Sequence, residues 1–333
     1  MAGFSHIDPN DPAFTHKFAQ TKNLRYHYVE AGDPKGEPLV LVHGFPDLWY
    51  GWRYQIKFFA ELGYRVIAID NVGYGQTEAP MELEKYGLKA QSDQLAGLLD
   101  ALDIPKITLI GHDWGGAFVW RFGLYYPNRV SGIIRYVQDS CVFPIALSFS
   151  PRYRAEAMDN FQLVSDARRF ACECAQCMKF AYQREFVDPE TVAKFDNNKS
   201  KFILGVLKAG ECHGQAELDY MVQEYSHSGY RGPLNYYKTR RINFDDELAH
   251  LPHKHQHIIH TPSWMILAKN DPYLLPHMAN GMEKVIPGVK FATIDAGHFC
   301  MTEKVEEVNQ TLKTAVEDLI ARRNAATASK ASL

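Results

Sequence analysis

The sequence contains no long apolar segment and few cysteines. No stretch of about 18 apolar residues occurs, which argues against a membrane-spanning helix. Residues 1–17 are polar and contain prolines, so we expect no secretory signal. Six cysteines are a sparse count for 333 residues, and reduced thiols in the cytosol are the default expectation for such a chain. These absences predict a cytoplasmic protein without a transmembrane helix.

An excess of charge of one sign is also missing. The 36 lysines and arginines nearly balance the 39 aspartates and glutamates, which gives a formal net charge of -3. Such a chain has no global basic field, so neither nucleic acid nor an anionic membrane is an expected partner. At 46% hydrophobic residues the chain can bury a large core. Its length is compatible with one large α/β domain that carries an insertion.

Short apolar runs bounded by turn residues recur near both ends of the chain and alternate with helical patterns. Runs of this kind are typical of buried parallel strands. The strands predicted from such runs are 39–42, 64–70, 107–111, 130–137, 264–268 and 290–295. In residues 24–30 large and polar residues alternate before Gly32, which predicts an antiparallel strand. The predicted helices include 88–102, 117–126 and 305–320, and residues 324–333 are expected to form a frayed polar tail.

The alternation of strands and helices stops between residues 138 and 252, where helical periodicity continues with almost no strand signal. We therefore predict an α/β fold, with a mostly parallel sheet flanked by helices and an inserted helical cap, or lid. The expected domains are residues 1–139 for the first part of the core, 140–250 for the lid and 251–333 for the second part of the core.

Residues 111–116, with the sequence GHDWGG, indicate a strand, a very tight turn and then a helix. Asp113 stands at the apex, and the flanking glycines let the strand and the helix approach closely. In related turns a serine occupies this position and attacks carbonyl carbons. A carboxylate that attacks saturated carbon instead forms an ester, which an activated water can hydrolyse. The simpler alternative is that Asp113 only caps the helix that follows.

Two further polar residues follow strands, as Asp113 does. Asp271 follows strand 264–268, and His298 follows strand 290–295. The order nucleophile, acid, histidine is that of the α/β-hydrolase plan. His298 would take a proton from water near neutral pH, while Asp271 would fix its tautomer and stabilise the imidazolium. A loop carboxylate beside Pro272 is the alternative for Asp271.

The segment HGFP at residues 43–46 ends the first buried strand. In the same plan, this loop and the residue after the nucleophile supply the backbone donors of an oxyanion hole. The expected donors are the N–H groups of Phe45 and Trp114, which would stabilise charge when water attacks the Asp113 ester. A cis bond before Pro46 is also compatible with a tight turn here.

These motifs together resemble those of the soluble epoxide hydrolases, a family with the α/β-hydrolase fold, and the resemblance covers nearly the whole chain apart from about 139–178. In that family two tyrosines of the cap donate to the epoxide oxygen. The segment RGPLNYY at 231–237 resembles the segment that carries one of them, which implies Tyr237. The segment FAYQ at 180–183 resembles the other, which implies Tyr182.

Chemistry gives an independent reason for tyrosines at such a site. An epoxide opens to an alkoxide, a poor leaving group, so a neutral O–H donor with a pKa near 10 must stabilise or protonate it. A halide leaving group needs no such acid, so the tyrosines argue against a haloalkane dehalogenase, which this chain resembles in its aspartate and the following tryptophan. A catalytically silent ligand-binding protein is the other alternative, and both tyrosines could be ordinary packing residues.

Two segments depart from the family pattern. The entrance to the cap at residues 138–144 lacks the short Thr-Pro type of turn that is usual there. Cys172, Cys174 and Cys177 could supply thiolates to zinc, but no fourth ligand is evident, so we expect no metal and no cofactor. The expected partner is a small apolar epoxide. A homo-oligomer is also compatible with the sequence.

Overall fold

The computed structural model of the chain describes residues 6–136, 182–207, 214–251 and 258–331. Within these ranges, eight strands form one sheet in the order β1-β2-β4-β3-β5-β6-β7-β8. The strands are β1 (Thr15–Gln20), β2 (Arg25–Gly32), β3 (Pro38–Val42), β4 (Arg65–Ile69), β5 (Ile107–His112), β6 (Val130–Tyr136), β7 (Ser263–Ala268) and β8 (Lys290–Ile294).

The sheet is parallel except at one edge. β2 pairs antiparallel with both β1 and β4, and the pairs from β4 through β3, β5, β6 and β7 to β8 are parallel. β5 and β6 are buried along their whole length, because both faces of the central sheet are covered, as in other parallel sheets. The prediction of a mostly parallel sheet and of seven of its strands is confirmed.

β1 was not predicted from the sequence. It is an edge strand whose residues are exposed or only partly buried, and it pairs with β2 alone. A strand held mainly by backbone pairing needs no apolar run, so the hydrophobic pattern gave no signal for it.

Helices cover the sheet, and further helices lie between β6 and β7 in the described residues 182–207 and 214–251. They are α1 (Arg53–Glu61), α2 (Leu88–Ala101), α3 (Trp114–Tyr125), α4 (Tyr182–Phe186), α5 (Pro189–Asp196), α6 (Lys199–Leu207), α7 (Gln215–Ser228), α8 (Arg231–Asn235), α9 (Arg240–His250), α10 (Cys300–Glu303) and α11 (Val305–Ala331). The residues described in 182–251 contain α4 to α9 and no strand.

The tail was predicted incorrectly. α11 continues through residues 324–331 to Ala331. Four alanines lie in this stretch, and alanine has the highest intrinsic helix propensity, so the segment extends the preceding helix although it is polar. Among the helices that the structure describes, none is long and apolar enough to cross a membrane.

The helices between β6 and β7 are anchored on the core. Nε of Arg121 on α3 lies 2.8 Å from Oε1 of Glu247 on α9, and both side chains are buried. The Tyr236 hydroxyl donates to the Val72 carbonyl at 2.9 Å. These contacts fix Tyr236 and α9 against the core.

Candidate active site

The turn between β5 and α3 holds Asp113 in an unusual backbone conformation. Its φ is 53° and its ψ is -120°, a region that side-chain-bearing residues rarely occupy and that costs about 1–3 kcal/mol. The Asp113 side chain makes no capping hydrogen bond to α3. The helix-cap alternative therefore does not explain this aspartate.

Glycines make the turn sterically feasible. A Cβ on Gly111 would lie 2.4 Å from the Gly115 carbonyl oxygen, and a Cβ on Gly115 would lie 2.2 Å from the carbonyl oxygen of Val42 on β3. A Cβ on Gly44 would lie 2.3 Å from Oδ1 of Asp113. No other residue fits at these three positions without a backbone shift, so the predicted close approach of strand and helix is confirmed.

The loop after β3 contacts the Asp113 carboxylate directly. The Phe45 N–H donates to Oδ1 of Asp113 at 2.8 Å, and the Phe45–Pro46 peptide bond is cis. Trp114, the first residue of α3, lines the same cavity as Asp113. The Phe45 N–H, one of the two predicted oxyanion donors, thus contacts the carboxylate. Trp114, which carries the other predicted donor, lines the same cavity.

His298 and Asp271 form a buried pair, although they follow different strands. Nδ1 of His298 lies 2.8 Å from Oδ2 of Asp271. Oδ1 of Asp271 accepts the N–H groups of Tyr273 at 2.7 Å and Leu274 at 2.9 Å. These bonds fix the carboxylate, which in turn orients the imidazole so that its other nitrogen, Nε2, lies 3.8 Å from Oδ2 of Asp113.

The charges around this pair shift both pKa values. Burial opposes the charged imidazole, but the charge and hydrogen bond of Asp271, together with the charge of Asp113, outweigh it and raise the pKa of His298 above its usual 6.5. Burial likewise opposes the Asp271 carboxylate, yet His298 and two backbone N–H groups hold the pKa of Asp271 below its usual 3.8. The arrangement favours an imidazolium beside an ionised carboxylate.

Sequence reasoning missed a second histidine that touches this site. Nε2 of His112 donates to the His298 carbonyl at 2.8 Å. Burial lowers the pKa of His112 to about 3, which keeps its ring neutral. His112 is adjacent to Asp113 in the chain, and that position was the one signal available for it.

Both predicted tyrosines line one cavity of about 530 Å³. Tyr237 follows α8, and its ring centroid lies 5.5 Å from that of Phe45 and 5.2 Å from that of Trp114. Tyr182 opens α4, with its ring 6.3 Å from that of Tyr237. Asp113 and His298 line the same cavity. The structure therefore brings residues from four separate segments to one apolar pocket.

No metal centre is present among the residues that the structure describes, where no group of three or more histidine, cysteine or acidic side chains could hold an ion. Cys172, Cys174 and Cys177 lie outside the described residues, as does the segment 138–144 at the entrance to the cap. The expectations for these two segments therefore stay predictions.

The sequence itself matches a family model. Residues 37–150 fit the model described as the alpha/beta hydrolase fold. Together with the parallel sheet, the sharp turn after β5 and the histidine–aspartate pair after β7 and β8, this match defines the class: the protein is an α/β-hydrolase-fold protein with an aspartate at the apex of the turn.

Relatives define the family more narrowly. The chain is 32% identical over 328 residues to epoxide hydrolase srdG of Neurospora crassa, with 91% of this chain and 96% of that protein covered. It is 34% identical over 316 residues to bifunctional epoxide hydrolase 2 of Rattus norvegicus, with 91% of this chain and 55% of that protein covered. The chain thus spans about half the length of that bifunctional relative. The protein belongs to the epoxide hydrolase family.

A solved structure agrees with this membership. The crystal structure of epoxide hydrolase A from Mycobacterium thermoresistibile superposes with a TM-score of 0.74 at 25% sequence identity, covering 91% of this chain and 98% of that one.

Proposed function

We propose that this protein converts an epoxide and water into a vicinal diol through a covalent ester on Asp113. The observation that carries the proposal is the position of Tyr182 and Tyr237 in the cavity that also holds Asp113 and His298. A carboxylate nucleophile alone fits several substitutions at saturated carbon, whereas paired phenol donors fit a leaving group that stays in the molecule as an alkoxide.

In the first half of the reaction, Oδ2 of Asp113 attacks one carbon of the epoxide. The bond from that carbon to the ring oxygen breaks, and the oxygen receives hydrogen bonds and a proton from Tyr182 and Tyr237. Tyrosine has a pKa near 10 and a simple alcohol a much higher one, so this proton transfer is downhill once the alkoxide forms. The product of this half is a hydroxyalkyl ester of Asp113.

In the second half, Nε2 of His298 takes a proton from a water that attacks Cγ of the ester. Negative charge develops on Oδ1 of Asp113, which is the oxygen that the Phe45 N–H already contacts at 2.8 Å. A donor set in place before the reaction stabilises that charge without reorganisation, and the Trp114 N–H would serve as the second. The Cγ–Oδ2 bond then breaks, and the imidazolium returns its proton to the departing diol oxygen. The regenerated Asp113 carboxyl releases the second proton of the water, and that proton restores the tyrosine that protonated the ring oxygen.

The experiment that tests this proposal is turnover of a small epoxide panel, including styrene oxide and fatty-acid epoxides, with detection of the diol. We expect diol from at least one member and no halide release from 1-bromobutane. Halide release would support the dehalogenase alternative. Absence of both products, with bound ligand retained in the cavity, would support the silent binding protein.

We also propose that residues 140–250 form a lid over the cavity. The support is that α4, α5 and α6 line it opposite Asp113, so the walls of the cavity come from both parts of the chain. An apolar lid excludes water from the epoxide until the ester has formed. The sparse cysteine content supports a cytosolic location.

A further inference from the structure

Glu303, the last residue of α10, directs its carboxylate back to the loop that carries His298. Its Oε2 accepts the Gly297 N–H, and its Oε1 accepts the Phe299 N–H at 3.1 Å. These two amides belong to the residues on either side of His298. A Cβ on Gly297 would lie 2.9 Å from Oε1 of Glu303, so glycine permits this close approach.

We propose that Glu303 is a positioning residue for His298, fixing the loop on both sides of the imidazole and stabilising its protonated form. The inference rests on the proposed role of His298 as the base that activates water. Glu303 itself is not among the residues that line the cavity, and it therefore acts on the reaction through His298.

The need for two acceptors explains why a carboxylate stands here. Each oxygen of Glu303 takes one N–H, whereas a neutral amide has one acceptor oxygen and would place its NH₂ against the other N–H. Hydrogen bonds to a charged acceptor are also about twice as strong as neutral ones. Replacing Glu303 by glutamine therefore removes one of the two bonds and weakens the other.

The charge of Glu303 acts on His298 together with other groups. Asp271 after β7, Asp113 at the turn after β5 and Glu303 on α10 all favour the imidazolium, against its burial, while the neutral His112 ring packs against it with a centroid distance of 4.9 Å. Water activation creates an imidazolium at His298 while Asp113 is esterified and uncharged, so the Glu303 carboxylate joins Asp271 in stabilising that state.

A purely structural explanation accounts for only part of this geometry. Phe299 is the N-cap residue of α10, and a glutamate in the first turn that bonds back to the N-cap N–H resembles a capping box. The Gly297 N–H, however, lies two residues before that cap and belongs to no helix. Helix capping explains only the hydrogen bond from the Phe299 N–H, whereas fixing the His298 loop explains both hydrogen bonds to Glu303.

The experiment compares Glu303→Gln with Glu306→Gln, which removes the same charge from an exposed position on α11. In single-turnover measurements with an epoxide substrate, we expect Glu303→Gln to form the Asp113 ester at the wild-type rate. Ester hydrolysis should slow on the order of tenfold, because the base is misplaced. The pH at which hydrolysis reaches half its maximum should shift downwards. Glu306→Gln should change neither step.

Equal slowing of both steps, or an unchanged pH profile with only a lower melting temperature, would overturn the proposal.

A measurement that needs no turnover separates this inference from the proposed function. Titration of the His298 imidazole by NMR, assigned with His298→Gln, should give a lower pKa in Glu303→Gln than in the wild type. An unchanged pKa overturns the role of Glu303 whether or not any epoxide reacts. An unreactive wild type whose His298 pKa still falls in Glu303→Gln overturns the proposed function alone.

The wild-type protein provides a further test if Glu303→Gln does not fold. The Gly297 and Phe299 amides should exchange with solvent deuterium slowly for a loop, because both are bonded to Glu303. Rapid exchange of both amides in the intact protein would contradict the proposal.

Discussion

The Phe45 N–H donates to Oδ1 of Asp113 at 2.8 Å, although 68 positions separate the two residues in the chain. The contact exists because β3 and β5 are parallel neighbours, which brings the ends of both strands to one edge of the sheet. Gly44 makes it possible, since a Cβ there would overlap the Asp113 carboxylate. One oxygen of Asp113 is thereby held by the backbone, while the other, Oδ2, faces His298.

The proposed roles of Asp113 as nucleophile and His298 as base can be tested by trapping the ester. We expect His298→Gln to open the epoxide but to leave the ester intact, because only the second half of the reaction needs a base. The protein should gain the mass of one substrate molecule, located by mass spectrometry on the peptide that contains Asp113.

Asp113→Ala is the matched control for this trap and should gain no mass. Excess substrate and long incubation are needed, since the imidazole also shapes the field around Asp113. Normal diol formation by His298→Gln, or an adduct on another peptide, would refute the assignment of roles.

The tyrosines separate epoxide opening from other substitutions at carbon. Tyr182→Phe combined with Tyr237→Phe should abolish epoxide opening, because no acid then remains to protonate the alkoxide. Each single variant should retain slower opening, since the second phenol still donates. The measurement is the rate of ester formation in single-turnover experiments.

Tyr64→Phe is a suitable control for these variants, because Tyr64 precedes β4 and does not line the cavity. It should open epoxides at the wild-type rate. Undiminished opening by the double tyrosine variant would exclude both residues as the acid.

The pH dependence of ester hydrolysis should follow His298. Only the neutral imidazole accepts a proton from water, so hydrolysis should rise as the pH passes through the His298 pKa of the ester form, which Asp271 still raises but the esterified Asp113 does not. Burial lowers the pKa of His298, and Asp271 makes the largest contribution that raises it. Asp271→Asn removes that contribution. The midpoint of the profile should therefore move to lower pH, while the maximal rate falls by several orders of magnitude, as in other triads. A midpoint that stays in place would show that another group is the base.

The same pair links stability to pH. The raised pKa of His298 adds stability that is complete below about pH 6.5 and is lost as the pH rises through the folded-state pKa. The lowered pKa of Asp271 adds stability that is present above about pH 3.8 and is lost as the pH falls through the folded-state pKa. Urea unfolding across this range should show both losses in the wild type. Asp271→Asn should show a smaller acidic loss, because the lowered pKa values of Asp70 and Glu30 still contribute to it.

The glycines of the turn should differ sharply from other glycines in their tolerance of a methyl group. Gly115→Ala should lower the free energy of unfolding by about 2 kcal/mol or more, because its Cβ would meet the Val42 carbonyl oxygen at 2.2 Å. Gly97→Ala on α2 should be neutral or stabilise by up to about 1 kcal/mol, since its Cβ has only an ordinary contact at 3.6 Å. Equal urea midpoints for the two variants would contradict this account.

The sequence by itself determined the class of the fold and indicated which residues along the chain would form the candidate site. Six of the eight described strands follow from apolar or β-rich runs, which are most pronounced where a central strand is buried on both faces. β2 follows instead from the alternation of large and polar residues. Asp113 was evident from the glycines around it, since only a tight turn requires them. His298 and Asp271 were evident because each follows a predicted strand.

The tertiary structure decided which of these residues meet and what holds them. The hydrogen bonds from Phe45 to Asp113, from His112 to the His298 carbonyl and from the Gly297 amide to Glu303 depend on strand order and loop conformation. Sequence periodicity reports only which face of an element is buried. It carries no information on contacts between polar groups distant in the chain, because such contacts arise only once the sheet has brought the ends of its strands to one edge.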